Sequence, residues 1–436
     1  MAKKRGAPED AMAAEPSAKH DVHGVTFHSK FTFLRAPASR GGRDSTTRTV
    51  FYIVLGAILA IVWAPFATAQ HIDPEQAAIV GEKIVEPDVG GLFSDAAGFE
   101  LADEQAALVD SLGDEKTTVG AVRLVTLDVA ALLNGDPVTL NTSGDAPETM
   151  SAAVMEIGKG TGEFLWTGEC DSGTSLMVVR DDQVTGLIRQ DDALYEVTPL
   201  GGGVHALVRI DQSKFPQDHP DEFTAIEEAA TGLDVELGEL EDKAAPLTGQ
   251  IRQLDLLVAW TPSVKSKVAD PRGRALLAVA EANLTYRKSG VNIVCRLVHS
   301  YQTNYTEVSF GTDLTRFRTP GDGFMDEVHN RRKQFGADVC LLFVNKPQYC
   351  GLASVIYADK PHKAFASVHY TCVVGNFTFA HEIGHLQGAR HNPETDGSTS
   401  PFPYGHGNYN TAKNIRTVMS YNCPGGCTRV ARWSGP

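Results

Sequence analysis

The chain has 436 residues, of which 42% are hydrophobic and 21% are charged. This length exceeds one ordinary domain, and the apolar fraction excludes a wholly disordered chain. The formal net charge of −15 argues against nucleic acid as a partner of the whole molecule. The charge falls into three blocks, with a net +4 over residues 1–69, −27 over residues 70–250 and +8 over residues 251–436. These blocks indicate three parts.

The first block ends in an apolar segment, Val50–Ala64, which contains fifteen residues without a charge. A membrane span needs about 20 residues, so this length suits a signal peptide core better. Ala67-Thr68-Ala69 follows as an A-x-A cleavage pattern. We therefore expect a disordered basic leader at 1–49, a signal peptide core with its cleavage site at 50–69, and secretion. The alternative is an uncleaved membrane anchor that leaves the catalytic domain outside the cytosol.

The acidic block, residues 70–250, shows alternating β-like runs separated by turn residues from about residue 152. The pattern predicts the hairpins of a mainly antiparallel β domain. From about residue 212 the composition becomes acidic, rich in Gly and Ala and weakly patterned, which is typical of a linker. The β-like runs are GEFLWTGE, TSLMVVRD, QVTGLIRQ, ALYEVTPL and GVHALVRI.

The third block, residues 251–436, alternates strand and helix patterns. Alternation at this spacing predicts a largely parallel sheet with crossover helices. Asp322 is the expected cap of the second helix and Gly336 its stop. GLASVIYA and AFASVHY add two extended segments. In chain order the predictions are strand Leu254–Trp260, helix Ala275–Gly290, strand Val291–Ser300, helix Asp322–Gly336 and strand Ala337–Val344.

The chemistry is concentrated in residues 381–391, HEIGHLQGARH. His381 and His385 are four residues apart, so on a helix their imidazoles lie on one face and reach one ion. Gly388 can adopt a backbone conformation closed to other residues, which allows His391 to return as a third nitrogen ligand. Three imidazoles leave a fourth position on zinc for water, as in a catalytic rather than a structural site. Glu382 is placed to take a proton from that water.

A second signal follows in the expected order. Thr417-Val418-Met419-Ser420-Tyr421 places a methionine in a tight segment downstream of the extended H-E-x-x-H-x-x-G-x-x-H motif. A lone H-E-x-x-H arises by chance at an appreciable rate, and two histidines on one helix face can be ordinary packing. The extended motif fixes five positions, and the methionine segment is independent of it. Together they predict a zinc peptidase site.

With these motifs the chain resembles the metzincins, zinc endopeptidases whose zinc motif is followed by a Met-turn. It resembles more closely the peptidyl-Asp metallopeptidase family of secreted bacterial proenzymes. The resemblance spans about Glu163–Pro436. It implies an α/β (α+β) metzincin-like catalytic domain with a mixed, mostly parallel sheet and a zinc-binding active-site helix, preceded by a mainly antiparallel β pro-domain. The stretches that carry it are FAHEIGHLQGARHN, YCGLA, PYGHG, RTVMSYNC and RIDQSKFPQDHP.

The resemblance also implies roles for individual residues. Met419 becomes a hydrophobic floor under the metal, and Tyr421 a zinc ligand or a donor to the oxyanion, with core packing as the alternative for that tyrosine. Asn392 stands where the resemblance leads us to expect Asp. Substrate is expected to pair with an edge strand within Gly351–Ala358. The resemblance assigns one Zn2+ to His381, His385 and His391 and makes Glu382 the general base.

Six of the seven cysteines lie in the third block, an even number that suits disulfide bonds in an oxidising compartment. Six cysteines allow 15 pairings. We favour Cys350 with Cys372, and the short Cys423–Cys427 loop, which leaves Cys295 with Cys340.

Cys170 stands alone in the acidic block. A thiolate is a good zinc ligand, so Cys170 could keep the enzyme latent by occupying the fourth zinc position. The alternative is a free or packed cysteine in a hairpin, with steric blockage by the pro-region as the means of latency. Its TGECDSG setting lacks the switch motifs of other metzincins.

The family resemblance suggests cleavage on the N-terminal side of Asp or Glu. The charge blocks agree with it, because a basic catalytic block faces an acidic pro-region. In metzincins the chain after the Met-turn lines the pocket just beyond the scissile bond, and here its only charges are Arg429 and Arg432. Either guanidinium could hold a carboxylate by two contacts, and the alternative is solvated surface. Arg416 and Arg390 are the next candidates.

These predictions combine into one function, a secreted zinc endopeptidase made as a zymogen. Its partners are peptide or protein substrates and its own pro-region as inhibitor, without nucleic acid, and with a membrane only if Val50–Ala64 is an uncleaved anchor. Acidic specificity would let the enzyme cut its own linker within Asp234–Asp242. The alternatives are a membrane-anchored metzincin peptidase and a catalytically inactive surface-binding module. The predicted parts are 1–49, 50–69, 70–250 with its linker, and the catalytic domain 251–436.

Overall fold

The computed structural model describes residues 91–96, 99–114, 119–142, 147–219 and 250–435, and all of these lie in one compact unit. The predicted leader, the Val50–Ala64 segment with its cleavage site, and the predicted self-cleavage stretch Asp234–Asp242 lie outside the described residues. Among the helices that are described, none combines the length and the hydropathy of a membrane span.

The described residues up to 219 build a nine-stranded sheet, here called the first sheet, in which every pair of neighbours is antiparallel. Its strand order is β1-β2-β9-β8-β7-β6-β5-β4-β3. Helices α1 (Asp103–Asp114) and α2 (Val129–Asn134) and a 3-10 turn at Gln212–Lys214 accompany it. Strands β1 to β9 are Phe93–Asp95, Val119–Leu127, Val138–Leu140, Glu148–Glu156, Glu163–Cys170, Gly173–Arg180, Gln183–Gln190, Ala193–Gly201 and Val204–Ile210.

Two of the hairpins in this sheet turn at pairs of aspartates. Asp181 and Asp182, between β6 and β7, have φ values of 46° and 60°, and Asp191, between β7 and β8, has a φ of 48°. Two-residue hairpin turns of this kind need positive φ, which Asp tolerates better than most residues. Some of the acidic residues in 70–250 are therefore there because they form hairpin turns.

The residues from 250 onwards build a second sheet with the order β11-β10-β12-β14-β13. The pairs β10–β11, β10–β12 and β12–β14 are parallel, and the edge strand β13 is antiparallel to β14. Strands β10 to β14 are Arg252–Trp260, Ile293–Gln302, Val339–Val344, Gly351–Ala353 and Phe365–His369. Helices α3 to α7 are Pro262–Lys265, Pro271–Lys288, Phe310–Arg318, Glu327–Phe335 and Thr378–Leu386, and a 3-10 turn lies at Pro361–Lys363.

A small third sheet follows the zinc motif in the chain. Its strands are β15 (Tyr409–Asn410), β16 (Ile415–Arg416) and β17 (Thr428–Arg429). Strands β16 and β17 are parallel, and their register places Arg416 beside Arg429. This pairing holds the chain before the Met-turn against the chain after it.

Helix α4 packs between the first and second sheets, which explains why nearly all of its side chains are buried. Leu176 and Val178 of β6 join the core around α4, whereas the alternate residues Met177 and Val179 join a separate core on the other face of the first sheet. Alternation along a strand sends neighbouring side chains to opposite faces. Because both faces are covered, β6 is a continuous apolar run.

The structure corrects the prediction for the helix expected at Asp322–Gly336. The helix, α6, begins only at Glu327. Gly321 and Gly323 have φ values of 77° and 84°, and both backbone N–H groups donate to the carboxylate of Asp326. These bonds favour a loop over the helix, so Asp322 does not cap α6. Helix α5 was not predicted at all.

Two of the three expected disulfide bonds are confirmed, namely Cys350–Cys372 and Cys423–Cys427. The expected bond between Cys295 and Cys340 is wrong, because both are free and buried. They lie on β11 and β12, which flank β10, and belong to different hydrophobic cores. Strands two apart in a sheet are about 9.5 Å from each other, beyond the reach of a disulfide bond.

Candidate metal centre

Helix α7 carries His381, Glu382 and His385, and all three side chains are fully buried. The histidines are one turn apart, so both imidazoles project from the same face of the helix. Gly388 follows the helix with a φ of +100°, which residues with a side chain avoid. The chain reverses there and brings the imidazole of His391 back to the same point.

A fourth imidazole, that of His219, completes the cluster. Its Nε2 atom lies 2.9 Å from Nε2 of His381 and 3.1 Å from Nε2 of His385. Nε2 of His391 lies 3.3 Å from Nε2 of His381 and 3.1 Å from Nε2 of His385. The four residues are buried, and their ligand atoms all lie within 4.8 Å of one another.

Backbone carbonyl groups determine which nitrogen of two rings carries the proton. Nδ1 of His381 lies 2.8 Å from the carbonyl oxygen of Val418, and Nδ1 of His385 lies 2.9 Å from that of Ala389. A carbonyl oxygen only accepts, so each Nδ1 donates and each neutral ring presents an unprotonated Nε2. Burial lowers the pKa of His381 well below its ordinary value and that of His385 to about 4, so both rings are neutral at pH 7.

The cluster fits a tetrahedral metal ion. Zinc–nitrogen bonds of about 2.0–2.1 Å place tetrahedral ligand atoms about 3.3 Å apart. The four Nε2–Nε2 separations given above, 2.9 to 3.3 Å, are close to that value. Neutral nitrogen lone pairs that face one another repel unless a cation lies between them, and imidazole is a ligand that suits zinc. These four residues could therefore hold one metal ion.

Glu382 lies beside the cluster, with its Oε1 atom 3.5 Å from Nε2 of His219. Burial raises the pKa of Glu382 well above its ordinary value, and the negative charge of Asp218 adds to this effect. The carboxyl group packs against the backbone of Gly351, where a Cβ atom would overlap it. The first residue of edge strand β13 must therefore be small.

Met419 lies on the other side of α7. Its side chain is buried, and a Cβ atom built on Gly384 would lie 2.6 Å from both Met419 Sδ and the ring of Trp433. The preceding residue, Val418, supplies the carbonyl that holds His381. The methionine segment thus supports the helix through close packing and one ligand through a hydrogen bond.

Tyr421 stacks on His391, with ring centroids 4.0 Å apart. Its hydroxyl oxygen is buried and has no hydrogen-bond partner among the described residues. Asn392 Oδ1 accepts hydrogen bonds from the backbone N–H of Tyr421, at 3.0 Å, and from Ser420 Oγ, at 3.4 Å. Asn392, the residue after His391, is therefore linked to the methionine segment. This contact needs an acceptor oxygen, which an Asp at this position would also provide.

A second polar site, here called the acid pocket, consists of Arg416, Arg429 and Asn376. It holds the carboxylate of Asp218, which Arg429 binds through both of its terminal nitrogens, with Nη1 3.0 Å from Oδ1. Arg416 Nη1 lies 3.3 Å from Oδ2, and Asn376 Nδ2 lies 3.5 Å from Oδ1. Burial alone would raise the pKa of Asp218, but the two guanidinium charges outweigh it and hold the pKa well below its ordinary value.

The two arginines are oriented by backbone carbonyl groups. Arg429 donates to the carbonyl of Asn376 at 2.9 Å and to that of Ser420 at 3.1 Å. Arg416 Nη1 donates to the same Ser420 carbonyl at 2.8 Å. Burial lowers the pKa of Arg416 to about 10, so it remains charged at neutral pH. The pocket is a fixed, doubly positive receptor for a carboxylate.

Backbone hydrogen bonds join the chain before His219 to the edge of the second sheet. The N–H of Cys350 donates to the carbonyl of Gln217 at 2.8 Å, and the N–H of Gly351 donates to that of Asp218 at 3.1 Å. Residues 212–219 were expected to begin a linker. In the structure, Gln217, Asp218 and His219 lie against the edge of the second sheet, the acid pocket and the metal centre.

Comparison with known proteins identifies the family. Residues 250–434 match the model of Metallo-peptidase family M12. The peptidyl-Asp metalloendopeptidase of Xanthomonas campestris is 42% identical over 265 residues, 60% of this chain and 62% of that protein. The protein of the same name in one Stenotrophomonas maltophilia strain is 41% identical over 360 residues, 80% of this chain and 82% of that protein. The chain belongs to the peptidyl-Asp metalloendopeptidase family.

The predicted family is thus confirmed, and with it a metallopeptidase domain at the end of the chain. Of the Xanthomonas protein the chain spans less than two thirds, 62% of its length. Among solved structures, metalloproteinase-II of Bacteroides fragilis is 16% identical with a TM-score of 0.39, covering 61% of this chain and 86% of that chain.

The structure does not bring all of the predicted site residues together. Arg432 Nη1 donates to the carbonyl of Lys288 in α4, at 3.1 Å, rather than to Asp218. Cys170 lies at the end of β5, where its Sγ faces Glu148 and Ser172. The ring that joins the three predicted ligands is that of His219, so the structure does not give Cys170 the place of a fourth ligand.

Three residues of the site, Asp218, His219 and Asn376, were not predicted. His219 is 162 residues away from His381 in the chain, and no spacing rule connects them. The available signal was the stretch RIDQSKFPQDHP, which already carried part of the family resemblance and contains a carboxylate followed by an imidazole. Only the folded structure shows that Asp218 and His219 lie beside the residues of the zinc motif.

Proposed function

We propose that this chain is the precursor of a secreted zinc endopeptidase that cleaves peptide bonds on the N-terminal side of Asp or Glu. One observation carries the proposal. The Nε2 atoms of His381, His385 and His391 converge, and the buried carboxyl group of Glu382 lies beside the same cluster, 3.5 Å from Nε2 of His219. Three histidines and one adjacent carboxylate are the groups that zinc-dependent peptide hydrolysis needs.

Each residue has a role in this proposal. Zinc, when bound by the three histidines, would supply the Lewis acidity that polarises the scissile carbonyl and acidifies a water molecule. Glu382 takes the proton of the attacking water and passes it to the leaving amine. Tyr421 offers its buried hydroxyl to the oxyanion or to the metal. Met419 packs beneath α7 and keeps the ligands in place.

Substrate would lie along strand β13, the edge of the second sheet. An extended peptide can pair with the unpaired backbone groups of such an edge and become one more strand. Gly351, at the start of β13, faces Glu382. Pairing at this strand therefore places the peptide backbone next to the proposed general base.

Acidic specificity is supported by the acid pocket. Arg429 and Arg416 hold one carboxylate close to the metal centre, and the names of the related proteins refer to peptidyl-Asp cleavage. A guanidinium held by backbone carbonyls loses little freedom on binding a carboxylate, which favours Asp or Glu over a neutral residue. Arg429 is the primary selector in this proposal, and Arg416 assists it.

The precursor organisation rests on the sequence blocks and on the disulfide bonds. Residues 70–250 form the inhibitory pro-region and residues 251–436 the catalytic domain. The apolar segment Val50–Ala64 directs export, with cleavage after Ala69. Cys350–Cys372 and Cys423–Cys427 suit an oxidising compartment outside the cytosol.

The proposal is tested with the processed enzyme and three peptides that differ only in having Asp, Asn or Leu after the scissile bond. We expect cleavage of the Asp peptide to stop with a zinc chelator and to return with added zinc. Arg429→Ala should lower kcat/KM for the Asp peptide by about 30-fold or more, since a buried charged hydrogen bond contributes about 2 kcal/mol or more. Arg416→Ala should have a smaller effect in the same direction.

Arg432→Ala serves as the comparison, because its guanidinium binds the Lys288 carbonyl, and its kcat/KM should stay within about twofold of wild type. Equal rates for the Asp and Asn peptides in the wild-type enzyme would contradict acidic specificity. A processed, metal-loaded protein that cleaves no peptide would favour the surface-binding module instead.

A further inference from the structure

We propose that residues 216–219 are a two-point plug of the active site, in which His219 is a fourth ligand of the metal and Asp218 fills the acid pocket in place of a substrate carboxylate. The inference rests on the proposed function, because it concerns the regulation of the same site. It assigns latency to a histidine and an aspartate in adjacent positions.

The first point of the plug is the imidazole of His219. It is fully buried, and its Nε2 lies 2.9 Å and 3.1 Å from two of the other ligand nitrogens. A tetrahedral zinc site with three histidines keeps one vertex for water, and a fourth nitrogen at this spacing occupies that vertex. His219 also lies 3.5 Å from Oε1 of Glu382, where the attacking water has to be. The ring thus displaces the nucleophile and blocks access to the base.

The second point is the carboxylate of Asp218. It is almost fully enclosed, bound twice by Arg429 and once by Arg416. These contacts bind both carboxylate oxygens, as they would in a substrate Asp. A free acidic peptide cannot enter the pocket while Asp218 is there, because two carboxylates at one site repel each other.

The backbone of the plug occupies the edge of the second sheet, where the substrate backbone would pair. The carbonyl groups of Gln217 and Asp218 accept hydrogen bonds from Cys350 and Gly351 at the edge strand. Metal vertex, acid pocket and strand edge are therefore all occupied by one short stretch of this chain. That combination distinguishes a pseudosubstrate from a loop that happens to pass nearby.

The plug is tethered on one side to the first sheet. Strand β9 ends at Ile210, the 3-10 turn Gln212–Lys214 follows, and Phe215 packs against the common core. A short ordered tether holds His219 at a high effective concentration, so its single nitrogen can compete with water for the metal. The first sheet itself is anchored through α4, which makes the plug part of the folded precursor.

The chemical consequence is a closed coordination sphere in the precursor. With His219 in place the metal has no vertex that an added anion can take. Without it, one vertex is open to water or an anion. The full-length Glu382→Gln protein suits the measurement, because the variant spares all four histidines and removes the proposed base, so the precursor does not process itself.

The first experiment loads this full-length variant with cobalt(II) and records its visible absorption while sodium azide is added. We expect the spectrum with His219 intact to stay unchanged up to azide concentrations that shift the spectrum of the His219→Ala variant. His362→Ala, a change at an exposed histidine outside the cluster, should behave like the unmodified precursor.

The second experiment measures binding of a fluorescent peptide with one central Asp to the same zinc-loaded proteins by anisotropy. Asp218→Asn should bind the peptide at least tenfold more tightly than the unmodified precursor, and His219→Ala should do so as well. The exposed substitution Asp192→Asn in the β7–β8 turn serves as the control and should leave binding unchanged. Circular dichroism confirms that each variant is folded.

If the Glu382→Gln protein with His219 intact responds to azide as the His219→Ala variant does, the assignment of His219 as a ligand is overturned. Peptide binding that is equal in Asp218→Asn and the unmodified precursor would overturn the role of Asp218. Both results leave a metal-binding peptidase intact. Failure of every variant to bind cobalt or zinc would instead overturn the proposed function itself, so the two failures are distinguishable.

Discussion

Glu382 is the residue on which hydrolysis depends most directly in the proposed mechanism. We predict that Glu382→Gln retains stoichiometric zinc and lowers kcat/KM by about 10²- to 10⁴-fold, because it spares the ligands and removes the proton acceptor. Steady-state kinetics on the processed enzyme and metal analysis check both parts. Asp359→Asn, which neutralises an exposed carboxylate on the same domain, should be close to wild type. A Glu382→Gln enzyme with near wild-type rates would remove this residue from the mechanism.

Gly351 offers a second test of the role of Glu382. A Cβ atom at this position would overlap the Glu382 carboxyl group, while the backbone itself is not in a left-handed conformation. We predict that Gly351→Ala leaves the zinc content unchanged and lowers kcat by about tenfold or more, since an ångström of displacement at a catalytic group can cost about 10²-fold.

Gly311→Ala is the matched control for that change, because no atom within 4 Å would meet its new methyl group. Crystal structures or kinetics that show an undisturbed Glu382 in Gly351→Ala would mean that the edge strand can yield without cost. In that case the close approach of β13 to the base has no catalytic importance.

The end of helix α7 determines whether His391 reaches the other two histidines of the cluster. Gly388 has a φ of +100°, and a Cβ atom there would lie 2.7 Å from the ring of Phe402. We predict that Gly388→Ala weakens zinc binding and lowers the free energy of unfolding by about 1–2 kcal/mol or more, because the new side chain opposes both the backbone conformation and the packing.

Zinc release to a competing chelator and thermal unfolding measure the two effects. Gly397→Ala, in the same loop but with no neighbour nearer than 3.9 Å, should change neither quantity appreciably. Equal zinc release from both variants would show that His391 reaches the metal by some route other than the glycine turn.

Buried ion pairs connect the first sheet to helix α4. Arg189 of β7 binds Glu281 of α4 at 2.8 Å, and Arg180 of β6 binds Asp270, the N-cap of α4, at 2.7 Å. Breaking a buried pair from one side leaves an uncompensated charge, which costs about 3–5 kcal/mol. The same pairs hold the sheet that carries the plug.

We predict that Arg189→Met destabilises the full-length protein in a pH-dependent manner. Burial already raises the pKa of Glu281 above its ordinary value, and Arg189 opposes that rise. Without Arg189 the folded-state pKa rises further, so the folded protein binds a proton that the unfolded chain releases. For a raised carboxyl pKa, stability falls as the pH increases from the unfolded pKa through the folded one.

The loss of unfolding free energy in Arg189→Met should therefore be smallest below about pH 4.5 and grow toward pH 7, relative to wild type at each pH. Denaturant unfolding of the full-length Glu382→Gln protein, with and without the second change, measures it. Arg252→Met, at an exposed arginine outside the interface, is the control. A deficit that does not vary with pH would mean that Glu281 is not the group left unpaired.

Much of the fold and half of the site followed from local patterns. Five of the strands in the first sheet, β5 to β9, coincide with the alternating runs, and the Asp-Asp pairs mark two of the turns. His381 and His385 meet because helix geometry brings residues four apart together, and Gly388 turns the chain for His391. In each case the interaction spans only a few residues, so spacing and backbone preference suffice to specify it.

The remaining decisions depended on how distant parts of the chain pack. Arg429 and Arg432 look equivalent in the sequence, yet the register of β16 and β17 places Arg429 with Arg416 in the acid pocket, while Arg432 turns to α4. Cys295 and Cys340 are separated by β10. Above all, His219 joins ligands more than 160 residues away. Such contacts form only when the two sheets pack around helix α4. Neither the composition nor the spacing of residues in the acidic block specifies that packing.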